Sequence, residues 1–178
     1  MERATAEGLR VAVGEPIPSV GLRATDGFLL NLRSFVTKQP ACFFFFGAPT
    51  LKGPEAERGE AMASAFARGY QRLADAGVAL VGVTCDSERQ QTEYATSRRL
   101  PYLLFSDERR TAVELLGVPT TSRGDNHNAG RTVIGVDEAG VIRLILTDPD
   151  PERVVDEVLA GLSGDQPDSV SAASTAQS

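Results

Sequence analysis

The chain has 178 residues, 42% of them hydrophobic and 24% charged, which fits one soluble globular domain with a core of its own. A net charge of −6 with no visible basic face argues against a general nucleic-acid role, because phosphate binding needs clustered Lys and Arg. The longest apolar run, residues 41–46, is too short to cross a bilayer, and two cysteines and one histidine make no disulfide framework, zinc spacing or multi-histidine metal site.

The opening, MERATAEGLR, lacks the apolar core of a signal peptide, so residues 1–10 read as a flexible leader and the protein as cytoplasmic. Thr25-Asp26-Gly27 is a turn, and residues 28–32 can form a strand after it. Residues 41–46 read as a buried strand, with Cys42 inside it as a core residue. Pro54 suits a first helical turn, where its missing N–H costs nothing. Met62, Phe66, Tyr70 and Leu73 recur at helical spacing up to Gly77. Residues 78–83 form a second buried strand. Asp86-Ser87 can cap a helix over 88–99. Residues 102–105 are a third strand, and Asp107 caps a helix ending near Gly117. A polar loop spans 119–130. Residues 131–137 and 141–146 form a hairpin around Glu138-Ala139-Gly140. A last helix carries Val154, Val155, Val158, Leu159 and Leu162 on one face. The tail, residues 163–178, holds almost no large apolar side chain and reads as disordered, because it cannot offset its ordering entropy. The folded domain is therefore expected over 11–162. Strands alternating with helices, followed by a hairpin and a helix, indicate an α/β layered sheet.

Four phrases in this order resemble the peroxiredoxins. They are VGEPIPSVGLRATDGFLLNLRSF, LVGVTCDS, LLFSDERRTAVELLGV and RTVIGVDEAGVIRLI. The likeness covers about residues 11–162. It implies a thioredoxin-like fold, with a central mixed sheet flanked by helices and an N-terminal hairpin extension. The family's active-site motif, P-x-x-x-T-x-x-C, falls on FGAPTLKG, residues 46–53. Thr50 takes the threonine position and Gly53 the cysteine position. Phe46 takes the proline position, with Pro49 nearby. Arg131 matches the family's active-site arginine, and its plainer alternative is a structural ion pair. The resemblance thus keeps two of four functional positions and loses the nucleophile. A thiolate attacking a peroxide O–O bond is the family's reaction, and glycine has no side chain to oxidise.

The polar groups expected at the remaining pocket are a helix N-terminus, Thr50, Arg131 and Lys52. They suit an oxygen-bearing or anionic small molecule. Pro49, Gly53 and Glu55 are further candidate lining residues, although Glu55 and Glu57 also favour a helix N-terminus on electrostatic grounds alone. His127 lies four residues before Arg131 and can act as a general acid or base, or stand in an exposed loop. Asp125, Asn126 and Asn128 read as turn formers. Cys85, at a strand end, reads first as a small buried apolar residue and second as a pocket residue. A bond between Cys42 and Cys85 would need their Cβ atoms close together. Three functional readings follow. One is an enzyme independent of cysteine, with Arg131, Thr50 and His127 polarising a small organic substrate, in a bacterial specialised pathway that the Ala-, Arg- and Gly-rich composition would fit. Another is a binding or regulatory module without catalysis. The third is a thiol peroxidase whose nucleophile has moved to Cys85. No cofactor, metal, nucleic acid or membrane is expected, and a homodimer is expected by family analogy.

Overall fold

The computed structural model describes residues 8–24, 28–36, 39–47, 53–123 and 126–163. The leader up to residue 7, the 25–27 turn, the loop 48–52 and the tail from 164 lie outside the described residues.

The strands are β1 (Gly21–Ala24), β2 (Leu29–Asn31), β3 (Ala41–Phe45), β4 (Ala79–Thr84), β5 (Leu103–Ser106), β6 (Thr120–Arg123), β7 (Asn126–Ala129), β8 (Thr132–Val136) and β9 (Ile142–Thr147). The helices are α1 (Leu32–Phe35), α2 (Pro54–Asp75), α3 (Glu88–Arg98), α4 (Thr111–Leu116) and α5 (Val154–Leu162). Seven strands form one mixed sheet in the order β2-β1-β5-β4-β3-β8-β9, and β6 and β7 make a separate ribbon. β3, β4 and β5 run parallel, while β8, β9 and the β1–β2 hairpin are antiparallel to their neighbours. This is the mixed thioredoxin-like sheet that the resemblance implies.

β3 is an interior strand, between β4 and β8, and is buried on both faces, which is why ACFFF reads as one continuous apolar run. Phe43 and Phe45 join the core beneath α1 and α4. Cys42, Phe44 and Phe46 join the core beneath α2, α3 and α5. Phe44 stacks on Phe66 of α2 with ring centroids 4.3 Å apart. Phe46 is therefore a core ring, stacked on Phe44 at 5.1 Å and tilted against Tyr94 at 6.4 Å. Glu60 ties α2 to α3, accepting from the Tyr94 hydroxyl at 2.7 Å and from Arg98 Nε at 2.6 Å.

Several sequence expectations change at their edges. The strand expected over 28–32 is shorter, because Asn31 caps α1, its side chain accepting from the N–H groups of Arg33 and Ser34. The segment 119–130, expected as a loop, contains the β6–β7 ribbon, which pairs Ser122 with His127. Its residues lack the apolar alternation that marks a half-buried strand, so periodicity did not reveal it. Arg10, assigned to the leader, already donates to the Leu116 carbonyl. Ser87 caps α3 through a capping box with Gln90, as DS suggests, and Arg99 ends that helix in the left-handed region rather than extending it.

Candidate functional site

Three elements meet at the C-terminal end of β3. Thr132 pairs with Phe45, so Arg131 lies beside Phe46 and Gly47, where the chain enters the loop 48–52. The second turn of α2 rests on the same point. A Cβ built on Gly59 would sit 3.2 Å from the Gly47 carbonyl oxygen, so this helix approaches the strand end closely because position 59 carries no side chain.

Gly53 stands at the N-cap of α2, with Pro54 following at the start of the helix. Its carbonyl accepts from Glu57 N–H at 3.1 Å. Its backbone, φ 93° and ψ −161°, is one that essentially only glycine adopts. Among the described residues, a Cβ placed there would meet nothing within 4 Å. Position 53 is therefore committed to glycine by its backbone rather than by crowding from the described residues.

Arg131 and Val133 lie two residues apart, so β alternation puts Arg131 on the sheet face that α2 and α5 cover. Its side chain is 10% exposed. Its Nε and a terminal nitrogen reach Asp148 Oδ1 at 2.8 Å and 2.6 Å. Asp148 returns its backbone N–H to the Arg131 carbonyl at 2.7 Å, from a left-handed conformation with φ 47°. Asp148 was not singled out in the sequence.

Cys85 reaches the same sheet edge, because β3 and β4 run in parallel register with Phe45 opposite Val83. It packs on the other face, against the core beneath α4. Burial pushes its thiol up to about 12, and Asp107 and Asp86 add to the rise, while Arg110 and the Ala129 N–H oppose it. The loop that holds it is fixed by a polar node. Ser106 Oγ donates to the Asp86 carbonyl at 2.7 Å, and Gln91 Nε2 donates to Thr84 Oγ1 and the Phe105 carbonyl, each at 2.7 Å. Asp107 accepts from the Ala112 and Val113 N–H groups at 3.1 Å and 2.8 Å, the capping role the sequence implies. Burial nevertheless raises its carboxyl above the usual range, against those donors.

Cys42 is fully buried, and burial raises its thiol well above the usual range. It pairs with Leu80, so Cys85 lies five residues further along β4 and on the opposite face. That is about 16 Å along the strand, far beyond disulfide reach.

The structure thus brings Gly53 and Arg131 to one end of the sheet and sets Cys85 behind it. Pro49, Thr50 and Lys52 lie outside the described residues, as do Asp125 and the side chains of Glu55, His127, Asn126 and Asn128. The backbone of His127 is on β7, one strand before Arg131. Among the described residues, no group of three or more His, Cys, Asp or Glu is arranged to hold a metal ion, and no helix is long and apolar enough to cross a membrane.

The AhpC/TSA family matches residues 13–145. A chloroplastic peroxiredoxin Q from Populus jackii is 32% identical over 151 residues, covering 84% of this chain and 67% of that protein. Among solved structures, the peroxidoxin BcpB from Mycobacterium tuberculosis superposes with a TM-score of 0.74 at 21% identity, over 85% of this chain and 96% of that one. The bacterioferritin comigratory protein of Xanthomonas campestris, described for alkyl peroxide reduction, gives 0.68 at 15% identity, over 83% and 92%. The strand order, the helix docked at Gly47 and the sequence match agree: this chain belongs to the AhpC/TSA family, the peroxiredoxins.

Proposed function

We propose that this chain is a peroxiredoxin-family protein without thiol peroxidase chemistry, whose former peroxide pocket takes a small organic molecule bearing a polar oxygen. The observation that carries this reading is Gly53. In this reading it takes the motif's cysteine position, and its backbone is one that glycine alone readily adopts. A thiol acting from position 53 would need both a different residue and a different backbone.

Moving the nucleophile to Cys85 has little physical support. The nucleophile is the thiolate, and a thiol pushed up to about 12 by burial and two carboxylates holds almost none at neutral pH. That environment is the reverse of the electropositive one that activates catalytic cysteines.

In this proposal Arg131 is the cationic contact, and Thr50 and His127 supply a hydroxyl and a titratable donor from the flanking segments. Pro49, Lys52, Gly53 and Glu55 line the opening. Orientation and polarisation of a bound carbonyl or hydroxyl are what such a set can do without a nucleophile. A homodimer and a place in bacterial specialised metabolism belong to the same proposal. The test is binding of a neutral oxygen probe followed by NMR. Acetamide is expected to shift the Gly53 amide signal in the native protein, and Arg131→Ala to abolish that shift. An unperturbed Gly53 signal at saturating acetamide contradicts the reading.

A further inference from the structure

We propose that the crevice between the start of α3 and the β5–α4 turn is a binding site for a small zwitterion of the amino-acid type, with Arg109 holding its carboxylate and Glu108 its ammonium. The crevice is separate from the Gly53 end of β3 and stands independently of the reading given above for that end.

The path of the chain opens it. β4 and β5 pair side by side in parallel, yet the segments that follow them leave on opposite faces of the sheet. After β4, α3 packs Tyr94 into the core that Phe44 and Phe46 share. After β5, α4 packs Ala112, Val113 and Leu116 into the core that holds Phe43 and Phe45. Diverging connections leave a gap outside the carboxyl ends of the strands, which is where ligands bind in open α/β sheets. Here that gap is a cavity of about 360 Å³, walled by Glu88 of α3, the β5–α4 turn and β1. β1 closes the far side, with Arg23 paired to Ser106 of β5. β3 is two strands away, about 10 Å across the sheet.

Most of the charges around the cavity are already engaged. Arg23 meets Glu88 at 3.3 Å. Asp107 is 2% exposed and turns its two carboxylate oxygens to the Ala112 and Val113 N–H groups. Ser106 Oγ donates to the Asp86 carbonyl, which leaves its lone pairs as acceptors. Glu108 and Arg109 remain, adjacent and opposite in sign, both at the cavity. Neither side chain has an ion pair or hydrogen bond to another of the described residues. One uncommitted charge of each sign matches a ligand that carries both. A simple anion would also meet the repulsion of the cavity's carboxylates, and a simple cation that of its guanidiniums. The planar guanidinium fork is suited to a carboxylate. Leu29, opposite Arg23 in the β1–β2 ladder and 68% exposed, borders the same cavity and offers an apolar side chain a surface to cover.

L-leucine is the probe, with isocaproate, which lacks its ammonium, and isopentylamine, which lacks its carboxylate, as comparators. Amide NMR titrations of the native protein, Arg109→Gln and Glu108→Gln read the affinities; both positions are exposed, so the fold is expected to persist. In the native protein L-leucine is expected to shift the amides of Arg23, Glu108 and Arg109 to saturation and to bind at least tenfold tighter than either comparator. Each variant is expected to weaken it at least tenfold. Isocaproate should bind more weakly in Arg109→Gln and more tightly in Glu108→Gln, and isopentylamine the reverse. Cavity amides that do not respond to L-leucine overturn the site. L-leucine affinity unchanged in both variants overturns the roles of Arg109 and Glu108, and a comparator that binds as tightly as L-leucine overturns the ligand class.

Discussion

Arg143 donates from Nε to Asp137 Oδ2 at 2.7 Å, and this contact pins the extra residue of the β8–β9 bulge. The other carboxylate oxygen of Asp137 accepts from the Ala139 and Val141 N–H groups, each at 2.9 Å, closing the turn. One side chain thus holds both the turn and the residue whose insertion brings Asp148 opposite Arg131. Burial alone would raise the Asp137 carboxyl, but the Val141 N–H, the Arg143 guanidinium and the Ala139 N–H outweigh it, and the carboxyl lies below the usual range. A depressed folded-state pKa gives stability that is present above the unfolded value, about 3.9, and is lost as pH falls through the folded value. Asp137→Asn is expected to lower stability by about 1 kcal/mol at neutral pH, a gap that narrows below about pH 3.9. Urea unfolding at pH 7 and pH 3 checks it, and a gap that widens in acid contradicts it.

The thiol of Cys85 should behave as a protected group. With its pKa pushed up to about 12, its thiolate fraction at pH 8.5 is roughly a thousandfold below that of a free cysteine. Iodoacetamide should therefore label Cys85 at least that much more slowly in the native protein than in urea. Asp107→Asn removes a charge that opposes the thiolate, so labelling should speed up, but less than tenfold, because burial is the larger cause. Native labelling as fast as that of a free thiol contradicts the account of this environment.

Gly53→Ala tests the backbone commitment at the N-cap of α2. Among the described residues nothing stands within 4 Å of a Cβ there, so a purely steric view predicts no penalty. The glycine-only φ and ψ predict a loss of about 1–3 kcal/mol in unfolding free energy. Gly53→Cys should carry the same loss, and its thiol should react with peroxide at the rate of an ordinary free thiol. Activity at a family enzyme's rate in Gly53→Cys would mean that the loop readily re-forms a catalytic geometry.

Gly69 sits against Val155 where α2 crosses α5. A Cβ there would lie 2.7 Å and 2.9 Å from the two Val155 γ-carbons. Valine is stiff about its first side-chain torsion and cannot swing aside cheaply. Gly69→Ala gains about 1 kcal/mol in helix propensity and incurs about 1–3 kcal/mol of overpacking, so a net loss is expected. Val155→Ala should recover part of that loss in the Gly69→Ala background. Additive effects in the double-mutant cycle would show that the two positions do not compete for space.

The fold was largely legible because its signals are local and strong. The run at residues 41–46 marks a strand buried on both faces, the spacing of Met62, Phe66, Tyr70 and Leu73 marks α2, and Ser87 marks the start of α3. The β6–β7 ribbon was missed because its polar residues carry no face pattern, and α1 because four residues leave no period to detect. Gly53 and Arg131 are singled out by the resemblance, and the fold places both toward the C-terminal end of β3. Asp148 is not singled out by it. Counting outward from the turn sets Thr147 against Arg131, and only the bulge substitutes Asp148. Asp107 was legible as a helix cap, but its proximity to Cys85 depends on β4 and β5 lying side by side in the sheet.

The most direct measurement is exposure of the purified protein to one equivalent and then a small excess of hydrogen peroxide, followed by intact mass and peptide mapping. The expected result is that Cys42 and Cys85 remain unmodified on the timescale of seconds to minutes, leaving no thiol to run a peroxidase cycle. Rapid oxidation of Cys85 that a thiol reductant reverses would contradict this and place the protein among the working thiol peroxidases.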